Sequence, residues 1–127
     1  MMVASLLRAW RPLATLALLL AAAGAALAQQ PVPPLEGRRV VDLTGTLSAS
    51  EVAALDAKLA AFEARKGSQI AVLLVDSAAP EAIEQYSLRV AEAWRLGREG
   101  VDDGVLFLAA LGDRRMRFEV GYGLEGA

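Results

Sequence analysis

The chain has 127 residues, with 13 Lys and Arg against 15 Asp and Glu, and contains no Cys and no His. The missing types exclude Ser-His-Asp and Cys-His nucleophiles, histidine and thiol phosphatases, ordinary zinc sites and any disulfide framework. Catalysis, if there were any, would have to use carboxylates, hydroxyls, Arg or Lys, together with a hard metal ion.

Residues 1–28 read as a secretory signal peptide. Arg8 and Arg11 form a basic start, Leu13 to Ala26 is apolar, and Ala26-Leu27-Ala28 fits a small-x-small cleavage pattern ahead of Gln29. The apolar run is short against the ~20 residues of a membrane span. An uncleaved anchor is the other reading, and it leaves the domain on the same side of the membrane. The expected location is the periplasm or the outer face of the inner membrane. Two of the 13 basic residues lie in this segment and none of the acidic ones, so the remainder carries 11 basic and 15 acidic residues, a net charge of −4. That balance argues against nucleic acid and anionic lipid as partners and is compatible with cations.

Residues 29–36, beginning QQPVPPL, are expected to be a proline-rich linker, and 37–127 a single domain with one small hydrophobic core. Arg39-Val-Val-Asp42 suggests a short strand. Ser48-Ala-Ser-Glu51 is a capping box with Leu47 and Val52 as its hydrophobic staple. The helix it opens carries Val52, Leu55, Leu59 and Phe62 on one face and stops at Gly67. Gln69–Val75 is an almost wholly apolar run, as expected of a central strand buried on both sides. A second helix is predicted from about Pro80 to Leu96, with Ile83, Tyr86, Val90 and Trp94 facing inward. A loop from Gly97 to Asp103 leads to a second buried strand, Val105–Ala110. After a turn at 111–114, Met116, Phe118 and Val120 alternate with Arg115, Arg117 and Glu119, which predicts an antiparallel hairpin strand. The helical connection makes strands 69–75 and 105–110 parallel. The order is (β)αβαββ, an α/β fold predicted as a three-layer α/β/α sandwich on a small mixed sheet.

Asp102 and Asp103 are adjacent carboxylates on a glycine-flanked loop, where mutual repulsion makes a bound cation one explanation and simple turn chemistry another. The predicted hairpin brings Gly121-Tyr-Gly-Leu-Glu125 beside them. Carboxylates converging there would suit Ca²⁺ or Mg²⁺. Gly121-Tyr-Gly123 lacks the third glycine and the following helix of a nucleotide-binding loop, so no organic cofactor is expected.

The order Trp94-x-x-Gly97, Asp102-Asp103-Gly104-Val-Leu, then Gly121-Tyr-Gly-Leu-Glu-Gly126, with Val40-Val-Asp42 and Leu47-Ser48 upstream, resembles the TPM domain. That domain is an α/β module of bacterial envelope proteins, of a thylakoid photosystem II repair protein and of an animal receptor modulator. The resemblance implies Asp42, Asp102, Asp103 and Glu125 as metal-site candidates at an acidic cleft holding Ca²⁺. It also implies an accessory role in a membrane-protein complex of the cell envelope. TPM domains continue past the point matching Ala127 with further helix and, in many bacterial members, a membrane span. The resemblance therefore implies a C-terminally incomplete domain, with one side of its sheet bare. The function expected is a non-enzymatic exported module. The alternative, linked to the plant branch, is a divalent-metal-dependent acid phosphatase, against which stands the lack of a cation placed to neutralise phosphoryl oxygens.

Overall fold

A computed structural model describes residues 29–126; the predicted signal peptide lies outside the described residues. Strand β1 (Val40–Asp42) leads to helix α1 (Ala49–Lys66), β2 (Gln69–Val75), helix α2 (Ile83–Trp94), β3 (Gly104–Ala110) and β4 (Arg115–Val120), with a short 3₁₀ turn at Tyr122–Leu124. The strands form one sheet in the order β1-β2-β3-β4. β1, β2 and β3 are parallel, and β4 returns antiparallel along β3, with Phe107 opposite Phe118. Helix α1 covers one face of the sheet and α2 the other, giving three layers. No described helix is long and apolar enough to cross a membrane.

The helix ends follow from local chemistry. Ser48 Oγ accepts the Glu51 N–H at 3.1 Å while Glu51 Oε1 accepts the Ser48 N–H at 2.9 Å, so two otherwise unpaired donors of α1 are satisfied reciprocally. Gly67 ends α1 in the left-handed region at φ 83°. Helix α2 is shorter than the sequence suggests. It begins after Ala82, which offers no side-chain cap, and ends at Arg95, which takes φ 50°.

The core is divided by the pleat of the sheet. Ala71, Leu73, Leu106 and Leu108 face α2, meeting Ile83, Tyr86, Val90 and Trp94. Val40, Val72, Leu74 and Ala109 face α1, meeting Val52, Leu55 and Leu59. The helices are staggered: α1 lies over β1 and β2, whereas α2 lies over β3 and β4. Among the described residues nothing covers the α1 side of β4. Met116, Phe118 and Val120 point to that side and are 70%, 61% and 45% exposed.

The proline-rich segment, expected to be a linker, packs against the domain. Val32 and Leu35 pack against the core on the α2 face. The Tyr86 hydroxyl donates to the Pro31 carbonyl at 2.9 Å, the Trp94 indole N–H to the Pro33 carbonyl at 2.7 Å, and Arg89 to the Gln30 carbonyl at 2.7 Å. Proline supplies no backbone N–H to satisfy and fixes an extended course, so its carbonyls are free to serve as acceptors. The segment is an arm docked along α2.

Candidate functional site

The loop from Gly97 to Asp103 is tied to itself. The Arg98 N–H donates to Asp103 Oδ1 at 2.8 Å, and its guanidinium reaches Oδ2 through Nε at 2.8 Å and Nη2 at 2.7 Å. Asp103 is buried, and these bonds from Arg98 hold its carboxyl below the ordinary value of 3.8. The Val101 and Asp102 N–H groups both donate to the Arg98 carbonyl at 3.0 Å, and Asp102 takes φ 52°. Gly97 and Gly104 let two backbones touch: a Cβ on Gly97 would sit 2.6 Å from the Gly104 nitrogen.

The tail lies where the hairpin argument puts it. The Gly121 N–H donates to the Gly104 carbonyl at 2.8 Å, and the Gly123 N–H to the Asp102 carbonyl at 3.0 Å. A Cβ on Gly121 or Gly123 would overlap the backbone of Asp102 and Val101, so only glycine fits at either place. Asp102 and Glu125 stay exposed at the rim of this junction.

Asp42 is elsewhere. It ends β1 level with Leu74 of β2, whereas Gly104 starts β3 level with Gln69. That is a separation of about 16 Å along the strands, at the opposite end of a parallel set. Its Oδ1 accepts the Thr44 N–H at 2.8 Å and the Thr44 hydroxyl at 2.6 Å, and its Oδ2 accepts the Leu47 N–H at 2.8 Å. Burial pushes this carboxyl up, but these donors outweigh it and leave it below 3.8. Asp42 thus fixes the turn that delivers Ser48 to its capping position.

The expected four-carboxylate cleft is therefore not assembled as one site. Asp42 is remote, and both Asp103 oxygens are engaged by Arg98. Among the described residues no group of three or more carboxylates is arranged to hold a metal ion, and no buried side-chain nitrogen or oxygen lacks a hydrogen-bond partner.

Two polar groupings went unforeseen. Glu119 Oε1 accepts from the buried Ser87 hydroxyl at 2.7 Å and from Arg117 Nε at 2.5 Å, on the α2 face of β4. A Ser beside the inner stripe of α2 was the available signal. Asp113 accepts from the Ser77 hydroxyl at 2.9 Å and the Ala78 N–H at 3.0 Å, joining the two turns at the far end of the sheet. On the uncovered side, Leu74, Phe107, Ala109, Leu111 and Met116 line an open groove of about 480 Å³ with Arg114 and Arg115 at its rim. The Phe107 and Phe118 rings lie 4.9 Å apart.

The family model described as TPM domain matches residues 40–127. The N-terminal domain of a protein from P. gingivalis has a TM-score of 0.67 at 33% identity, covering 75% of this chain and 63% of that one. The N-terminal domain of the cg2496 protein from Corynebacterium glutamicum has a TM-score of 0.60 at 18% identity, covering 76% of this chain and 62% of that one, a likeness of fold alone. The chain thus spans less than two thirds of the length of either structure. No curated protein matches it. With the family model running from β1 through the glycine junction, and a structural relative at 33% identity sharing the fold, the chain belongs to the TPM domain family.

Proposed function

We propose that the chain is an exported, non-catalytic TPM module that associates with a membrane-protein complex of the cell envelope through the uncovered half of its sheet. The observation that carries this reading is the apolar strip of Met116, Phe118 and Val120, which no described element covers and which runs on to the half-buried Phe107. An apolar patch of this kind marks an interaction surface more often than a catalytic one. Two of the four carboxylates that a metal-dependent phosphatase would draw on are spent on the fold, Asp103 in closing its loop and Asp42 in setting the entry to α1.

Two measurements test it together. Membrane fractions should retain the chain through a salt wash. Phe118→Glu should release it, while Leu88→Glu, at a comparably exposed apolar position on α2, should not. Hydrolysis of p-nitrophenyl phosphate with Ca²⁺ or Mg²⁺ should stay at the background rate. Equal retention of both variants would sink the docking surface. Metal-dependent phosphate release that disappears in Asp102→Asn would establish the phosphatase instead.

A further inference from the structure

Among the described residues no strand pairs with the outer edge of β4, which is free of proline, the form of edge that natural proteins usually guard. Its hydrogen-bonding direction is fixed by the hairpin. The Gly121 N–H points to the Gly104 carbonyl, and hydrogen-bonded and non-bonded positions alternate along an antiparallel pair. Arg115, Arg117 and Glu119 therefore turn their backbone groups toward β3. Met116, Phe118 and Val120 turn theirs outward.

We propose that β4 pairs antiparallel with β4 of a second copy of this chain, about a two-fold axis at Phe118, joining two four-stranded sheets into one. In this register Phe118 faces the partner's Phe118, Met116 faces the partner's Val120, and every outward N–H meets an outward carbonyl. Arg117 faces the partner's Glu119 and Glu119 the partner's Arg117. Each Arg117 already holds its own Glu119 through Nε, so opposite charges alternate around the axis. The Phe107–Phe118 pair continues into its symmetry mate as a row of rings.

The charges select the register. Moving the axis one residue toward the turn sets Arg117 against its own copy. Moving it one residue the other way sets Glu119 against its own copy. Half-residue shifts oppose inward-facing to outward-facing backbone and lose the ladder. The surface on β4 is self-complementary, as an isologous contact requires. This pairing is made by the backbone groups at the edge of the strand and leaves the broad face of the floor open, so it can hold or fail apart from the envelope partner proposed above.

The absence of cysteine gives a direct test. In the whole chain, purified in mild detergent, Phe118→Cys places two sulfur-bearing residues at a Cα separation of about 5.5 Å, inside the roughly 4.4–6.8 Å range of disulfides. Met116→Cys leaves its two copies about 14 Å apart. With diamide as oxidant, Phe118→Cys should run as a covalent dimer and Met116→Cys as a monomer. No dimer at 118, or equal dimer at both, overturns the pairing. A second readout uses the charges. Arg117→Glu and Glu119→Arg should each sediment as monomers alone and form a dimer on mixing, because only the mixture sets unlike charges across the axis. A mixture that stays monomeric overturns the register.

Discussion

Asp103 shows how a residue type that suggests chemistry can be consumed by structure. Its carboxyl is buried, takes a bond from the backbone N–H and a fork from the guanidinium of Arg98, and is held below 3.8. A carboxyl whose folded-state value is depressed stabilises the fold fully above its unfolded value, and that stability disappears as pH falls through the folded value. Asp103→Asn keeps the shape but removes the charge and one acceptor. It should lower the melting temperature at neutral pH, with the gap to the parent chain closing as pH drops below 3.8. Thermal unfolding from neutral pH to about pH 3 checks the sign; a gap that widens in acid would refute the assignment. The pair Asp102-Asp103 was legible in the sequence as a loop before a buried strand, and its nearness to Gly121-Tyr-Gly123 followed from the hairpin. What each carboxylate does was not legible. It depends on Arg98 folding back across a loop whose course is set by left-handed residues at Gly97, Gly100 and Asp102. The remoteness of Asp42 was also hidden, because a shared family motif carries no information about which end of a strand a residue occupies.

Helix α1 and strand β4 mark the extremes of how well an element announces itself. The capping box, the staple and Gly67 are local devices, and the sequence states them outright. Ser48→Ala should cost about 1 kcal/mol, measurable by urea unfolding with an unchanged slope. Strand β4 was legible as a strand, and its pairing to β3 as a hairpin, but the environment of its two faces was not. Alternation tells which residues share a side and leaves open which side is covered. That is decided by the stagger of the helices, with α2 over β4 and α1 over β1 and β2. The half-buried side of β4 accordingly carries Arg117 and Glu119, while Met116, Phe118 and Val120 meet solvent. A pair of substitutions separates the two environments. Leu108→Ala, at a fully buried position, should cost about 2–5 kcal/mol, whereas Phe118→Thr should cost less than about 1 kcal/mol despite removing a larger side chain. Equal losses would place Phe118 in the core.

As a whole the domain is held by two apolar clusters that share one sheet and differ in how they are closed. The α2 side is sealed by a helix and by the docked arm, whose carbonyls occupy the polar tips of Tyr86, Arg89 and Trp94. The arm was read as a linker because its composition is that of one. Its binding depends on tips that face outward from an otherwise buried helical stripe, which only the assembled fold reveals. Tyr86→Phe, which removes one tip and no packing, should cost about 1 kcal/mol and make the bonds between residues 29 and 36 a faster target for proteolysis. Unchanged cleavage would mean that packing of Val32 and Leu35 alone holds the arm. The arm lies on one broad face of the molecule and the open apolar floor on the other. Between them stands the sheet. The docked arm and anything that would settle on Phe118 are thus kept on opposite faces of the sheet. The sheet is a partition, and a change on the floor can leave the hydrogen bonds of the arm untouched.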